Sequence, residues 1–188
     1  MKENLKYKSD EELYELMKMN PKLLKEAFDE IYLRYSAKLY TYCRKILNND
    51  PIADDIYQET FTRFYESVQK AKTMTNVNGY LIKIARNLCL NEKEKMHVEK
   101  FNIEDFQIAS YDKSYSNKQL MDLIDTTLEL LPDSYKEVII MKEYMNMTYN
   151  EIAEVLNLSM PIVRIRIYRA KTKMRDLLSP YLEEIRDF

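Results

Sequence analysis

Residues 147–175, MTYNEIAEVLNLSMPIVRIRIYRAKTKMR, restrict the fold more than any other stretch of the chain. Thr148 followed three positions later by Glu151 is the pairing of a capping box, so a short helix starts there. Ile152, Ala153 and Leu156 give that helix an apolar side. At Asn157 the chain must turn sharply, and Asn tolerates the left-handed conformation better than most residues. Ser159 then caps a longer helix with Pro161 in its first turn, where a missing N–H does no harm. Two helices joined by so short a turn form a helix-turn-helix.

In the second helix Val163, Ile167, Ala170, Met174 and Leu177 recur at three- and four-residue steps and share one buried face. At about 100° per residue, Arg164, Ile165, Tyr168, Arg169 and Lys171 point away from it. From Ser159 to Arg175 there are six basic residues and no acidic one, on a chain of net charge −2. Such a local concentration attracts a phosphate backbone. A solvated basic face on an ordinary bundle helix would show the same charges.

One Gly, five Pro and 46% hydrophobic residues point to an all-α protein with enough apolar surface for helical cores. No apolar run nears the roughly 18 residues of a membrane span, and Met1–Lys6 lacks the apolar region of a signal peptide. The expected location is therefore cytoplasmic, with no direct membrane insertion. Cys43 and Cys89 lie far apart in sequence and His97 is the sole histidine, so neither zinc spacing nor a redox pair can be read. Both cysteines fall in apolar helical pattern, which suits small buried thiols. Phosphate-binding glycine loops and nucleophile elbows are lacking as well, so an enzyme is not expected and no cofactor is implied.

The periodicity predicts four helices, a polar break and four more helices. Ser9 with Glu12 opens the first helix. Leu24, Phe28, Ile31, Tyr32, Tyr35, Leu39, Tyr42 and Ile46 mark the second. Asp50 as N-cap with Pro51 at the first helical position opens a third, burying Ala53, Ile56, Thr60, Phe64 and Val68. A fourth starts near Val77, after a loop over 73–78. Residues 97–117 carry no sustained period and read as a linker. Helical pattern resumes at Leu120, Leu123, Ile124, Leu128 and Leu131, and Pro132 opens the helix before the helix-turn-helix.

Three segments resemble the extracytoplasmic-function (ECF) class of RNA polymerase sigma factors, in order and over nearly the whole chain. Ala53-Asp54-Asp55-Ile56-Tyr57-Gln58-Glu59-Thr60-Phe61 is similar to that family's polymerase-binding helix. Gly79-Tyr80-Leu81-Ile82-Lys83-Ile84-Ala85-Arg86-Asn87 resembles its reader of the minus-ten promoter element. Leu131-Pro132 and the helix-turn-helix resemble its reader of the minus-thirty-five element. The resemblance implies two small helical domains, residues 1–96 and 118–188, joined by a flexible linker at 97–117. It also implies two direct partners, RNA polymerase core and promoter DNA, and an anti-sigma factor as restraining partner.

The same resemblance distributes the site residues. Core polymerase falls to Asp55, Gln58, Glu59 and Thr62, which helical spacing also places opposite Ile56, Thr60 and Phe64; an acidic solvated face would look alike. The opened minus-ten strand falls to Tyr80, Lys83, Arg86 and Asn87, with Lys70 and Lys72 adding charge nearby. Unstacking a base costs a few kcal/mol, which stacking, hydrogen bonds and a basic groove can offset. Tyr80 stands where the family usually has Trp, and core packing is its alternative role. The minus-thirty-five duplex falls to Arg164, Ile165, Tyr168, Arg169 and Lys171. Pro161-Ile162 replaces a usual Gly-Thr pair and Ile165 a usual Ser; Ile cannot hydrogen-bond, but it packs on a thymine methyl.

Overall fold

The computed structural model describes residues 5–68, 70, 74–99 and 117–186. Among them every regular element is helical. After a single 3₁₀ turn at Leu5–Tyr7 come α1 (Asp10–Met19), α2 (Leu24–Leu47), α3 (Asp50–Val68) and α4 (Val77–Glu99). The second group is α5 (Asn117–Glu129), α6 (Asp133–Ile139), α7 (Tyr149–Leu156) and α8 (Met160–Arg186), with a π-helical turn at Ile140–Tyr144 between α6 and α7. Thus α4 runs to Glu99 and α5 starts at Asn117; residues 100–116, most of the expected linker, and Lys72 lie outside the described residues.

Side chains of the flanking residues set the helix ends. Ser9 Oγ accepts from the Glu12 N–H at 3.2 Å while the Glu12 carboxylate accepts from the Ser9 N–H at 2.7 Å, completing the predicted box. The start of α3 differs from the sequence reading. Asn49, not Asp50, is the cap: its Oδ1 accepts from the Ile52 N–H at 3.2 Å, so Pro51 sits one position further in. Either position suits Pro, because first-turn N–H groups have no intrahelical partner. At α4, Asn76 Oδ1 accepts from the Gly79 N–H at 2.7 Å. A Cβ on Gly79 would lie 2.7 Å from Asn76 Nδ2, so the chain's only glycine makes room for a cap. Asn48, Asn146 and Asn157 carry positive φ of 49°, 55° and 53°; Asn48 and Asn157 end α2 and α7.

Near the end of α8, Pro180 cannot donate to the Asp176 carbonyl. Ser179 Oγ donates to that carbonyl instead, at 3.0 Å, and the helix continues.

In the first group α1, α2, α3 and α4 enclose Leu13, Tyr14, Ile31, Leu39, Phe64, Leu81 and Ala85, all buried. An aromatic seam joins α2 to α3, with Phe28 stacked on Phe64 at 6.4 Å and edge-on to Tyr65 at 5.4 Å. Arg34 ties α1 to α2 by bonding Asp10 at 2.7 Å, and Tyr35 donates to the same carboxylate. The second group closes over Leu128, Val138, Ile140, Met141, Ile152, Val163, Ile167 and Ala170. These two sets of buried residues form one continuous cluster, since α4 packs on α7 and α2 on the π-helical turn.

Candidate nucleic-acid interface

The helix-turn-helix forms as its spacing predicts. Thr148 Oγ1 accepts from the Glu151 N–H at 3.2 Å, and the Glu151 carboxylate accepts from the Thr148 N–H at 2.7 Å. The left-handed Asn157 turns the chain into α8. Val163, Ile167 and Ala170 are buried and Met174 and Leu177 half-buried, so the inner face is the expected one. Arg164, Ile165, Tyr168, Arg169 and Lys171 are all exposed. Ile165 at 50%, Tyr168 at 73% and Ile162 at 44% exposure place apolar atoms on the open face among the basic residues.

Not all five project freely. The Arg164 guanidinium lies 5.7 Å from the Tyr149 ring, and Lys171 pairs with Glu143 at 2.7 Å. A half-exposed ion pair such as Lys171–Glu143 is worth little. Tyr168 and Arg169 border an open groove of about 440 Å³ that reaches Tyr135 and Leu177. Sequence reasoning missed Tyr149 and Glu143. The Thr-Tyr at the start of α7 was visible, but which cation would lie on the ring was not.

On α3, Asp55, Gln58 and Thr62 are exposed and Glu59 partly so, within about 100° of one another around the helix. Glu59 holds Arg63 at 2.7 Å, one turn on. Beneath them Thr60, Phe61 and Phe64 are buried, so the strip stands on a fixed base.

The four expected minus-ten residues on α4 divide. Tyr80, Lys83 and Asn87 share one side, with Lys83 and Asn87 exposed. Tyr80 is half-buried, its ring 6.4 Å from Phe64, so it is at once a packing residue and the floor of that side. Arg86 lies about 60° beyond Lys83 around the helix and points elsewhere. Its Nε donates to Glu137 Oε1 at 2.6 Å and its Nη2 to Oε2 at 3.4 Å, with side chains only 25% and 12% exposed. Tyr42 Oη donates to the same carboxylate at 3.4 Å. Burial and the nearby Glu137 charge push the Tyr42 hydroxyl well above its usual pKa. Cys43 and Cys89, unrelated in sequence, meet beside this cluster; a hydrogen bond to Cys43 and burial push the Cys89 thiol up.

Comparison with known proteins agrees with this arrangement. The family model "Sigma-70 region 2" matches residues 31–96 and "Sigma-70, region 4" matches 121–174, so the α3 strip and α4 fall in one and the helix-turn-helix in the other. The two matches together span most of the chain, which belongs to the sigma-70 family of RNA polymerase sigma factors. ECF RNA polymerase sigma factor SigW of Bacillus subtilis is 28% identical over 167 residues, covering 81% of this chain and 89% of that protein. SigE of Mycolicibacterium smegmatis, another ECF sigma factor, is 25% identical over 165 residues; the match covers 84% of this chain and 64% of the relative. Two solved structures share the fold. CnrH, in complex with the cytosolic domain of CnrY, has a TM-score of 0.68 at 20% identity, over 91% of this chain and 97% of that one. The sigma factor RpoE from Bartonella quintana, in complex with the anti-sigma factor NepR, has a TM-score of 0.67 at 19% identity, over 81% and 96%. Among the described residues no helix is long and apolar enough to cross a membrane.

Proposed function

We propose that this chain directs core RNA polymerase to specific promoters and assists their opening, with its two groups of helices dividing the work. Residues 1–96 bind core polymerase through Asp55, Gln58, Glu59 and Thr62, and the opened minus-ten strand through Tyr80, Lys83, Arg86 and Asn87. Residues 118–188 dock on the minus-thirty-five duplex through Arg164, Ile165, Tyr168, Arg169 and Lys171, and residues 97–117 link the two. The observation that carries this reading is the open face of α8, where Ile165 and Tyr168 stand in solvent among cations, on a helix set by a capped helix and a left-handed turn. A helix N-terminal half of that kind fits the major groove, where Arg reads guanine or phosphate and Ile the thymine methyl.

As a sigma factor the chain carries no chemistry of its own; polymerase does the synthesis. It works in the cytoplasm, where polymerase and DNA are, and its net charge of −2 fits a protein that reads promoters only while held by polymerase. The solved RpoE–NepR complex supports an anti-sigma factor as a further partner of this chain. Transcription by purified core polymerase on genomic fragments, with and without the chain, tests the reading. Discrete new start sites that need the chain are expected; tight operator-like binding by the chain alone, with no polymerase-dependent starts, would refute it.

A further inference from the structure

Ile162 and Arg166 stand outside the duplex-reading set of α8, yet they complete a figure on its surface. Ile162, Ile165, Arg166 and Arg169 lie at i, i+3, i+4 and i+7, the four corners of the hole that a helix offers to an inserted group. Neighbouring corners have Cβ atoms about 5–6 Å apart, so a methyl group roughly 4 Å across seats among them. Ile162 is 44% and Ile165 50% exposed, Arg169 is exposed and Arg166 half-buried, so the hole is open to solvent. It lies in the N-terminal half of α8, the part of a recognition helix that meets base edges.

The corners differ in kind. Both isoleucines are branched at Cβ, and in a helix such a side chain holds one χ1 rotamer about nine-tenths of the time. The apolar wall is therefore set before anything binds, and little side-chain entropy is lost when it is used. The guanidiniums donate hydrogen bonds and never accept them. An occupant that satisfies all four corners must present a methyl group and an acceptor side by side. Of the four bases only thymine does so in the major groove, with its C5 methyl next to O4. Cytosine shows an amino donor there and carries no methyl.

Resting on the sigma-factor reading, we propose that this hole reads one thymine of the minus-thirty-five element: the methyl packs between Ile162 and Ile165, and O4 accepts from Arg169. Ile162 is then a specificity-determining residue, and Ile165 does not act alone. Arg166, at the fourth corner, closes the hole with its aliphatic stem. Removing either isoleucine lets water onto the methyl, so losing both walls costs no more than losing one.

The test uses the full chain assembled with core polymerase, on a promoter selected from a library randomised over the minus-thirty-five element. Each thymine of that element is then replaced singly by deoxyuridine or by cytosine, and initiation is measured by competition with the parent template. One thymine should stand out. Deoxyuridine there should lower initiation about fourfold, the worth of one buried methyl, and cytosine about fivefold to 150-fold. Ile162→Ser should bring the thymine-to-deoxyuridine ratio at that position down to about one. Ile165→Ser should do the same at the same position, and the double variant should lose nothing more. Ile162→Val keeps a branched wall and should retain most of the ratio. Because no charge is removed, Ile162→Ser should leave the salt dependence of promoter binding unchanged, and its Tm should stay within about 2 °C of wild type. A ratio unmoved by Ile162→Ser, different sensitive thymines for the two isoleucines, or an equal loss on every template overturns the hole. Failure of the wild-type assembly to initiate on any template strikes the sigma-factor reading itself, and the hole with it.

Discussion

Replacing Asn87 with Ala removes one amide from the exposed side of α4, the side shared with Tyr80 and Lys83. The fold should not suffer. An exposed helical Asn contributes little to packing, and Ala is the better helix former by roughly 0.5 kcal/mol, enough to raise Tm by about 1–2 °C in a chain of this size. Promoter opening should respond very differently. An extruded base that has left water and lost its amide partner forfeits about 1–3 kcal/mol, a fivefold to 150-fold effect. The amide both donates and accepts, so the loss should be greatest for one base at one minus-ten position. Open-complex formation, followed by fluorescence on promoters carrying each base at each minus-ten position, reads this directly. A loss spread evenly over all sequences, or a fall in Tm, would refute a base-reading role and make Asn87 a structural residue.

Three further outcomes follow from single elements. Thr148→Ala removes the capping box of α7 and should cost about 1 kcal/mol, seen by thermal melting together with weaker use of minus-thirty-five-dependent promoters; an unchanged Tm would show the box to be idle. Ile165→Ser should leave stability within about 0.5 kcal/mol because the side chain is half in solvent. It should abolish any preference for thymine over deoxyuridine in the minus-thirty-five element, measured by competition between the two templates. Raising pH above 10 should destabilise the protein through Tyr42. Below that value the hydroxyl is protonated in both folded and unfolded chains; above it only the unfolded chain ionises, so up to about 1.4 kcal/mol is lost per pH unit. Denaturant midpoints at pH 9, 10 and 11 for the wild type and Tyr42→Phe check this, and parallel declines would contradict it.

Features set within one turn of chain were legible in the sequence. The Ser9 and Thr148 boxes, the left-handed Asn157 and the inner face of α8 depend on neighbours three or four residues away, and all formed as read. The cap of α3 was misplaced because Asn49 and Asp50 both suit the role and Pro51 suits either first-turn position. What could not be read depends on partners brought together by folding. Arg86 and Glu137 are separated by 51 positions, and the charges on α4 and α6 could equally have faced water. Cys43 and Cys89 gave no spacing signal because their meeting follows from how α2 lies on α4. The outward strip of α3 was legible as a pattern, whereas its role rests on the family to which the chain belongs.

Two variants of the full chain test the division of labour most directly. One replaces Asp55, Gln58 and Glu59 with Ala; the other replaces Arg164 and Arg169 with Ala. Both sets are exposed or nearly so, and both variants should fold. In a core polymerase pull-down the acidic-strip variant should bind weakly and the arginine variant like wild type. In abortive initiation the arginine variant should lose most at promoters that depend on the minus-thirty-five element. An Arg that reads a base should cost about 1–3 kcal/mol at one position, whereas one that holds phosphate should weaken all sequences alike and flatten the salt dependence. If the arginine variant loses polymerase binding as fully as the acidic-strip variant, the two groups of helices do not divide the work in this way.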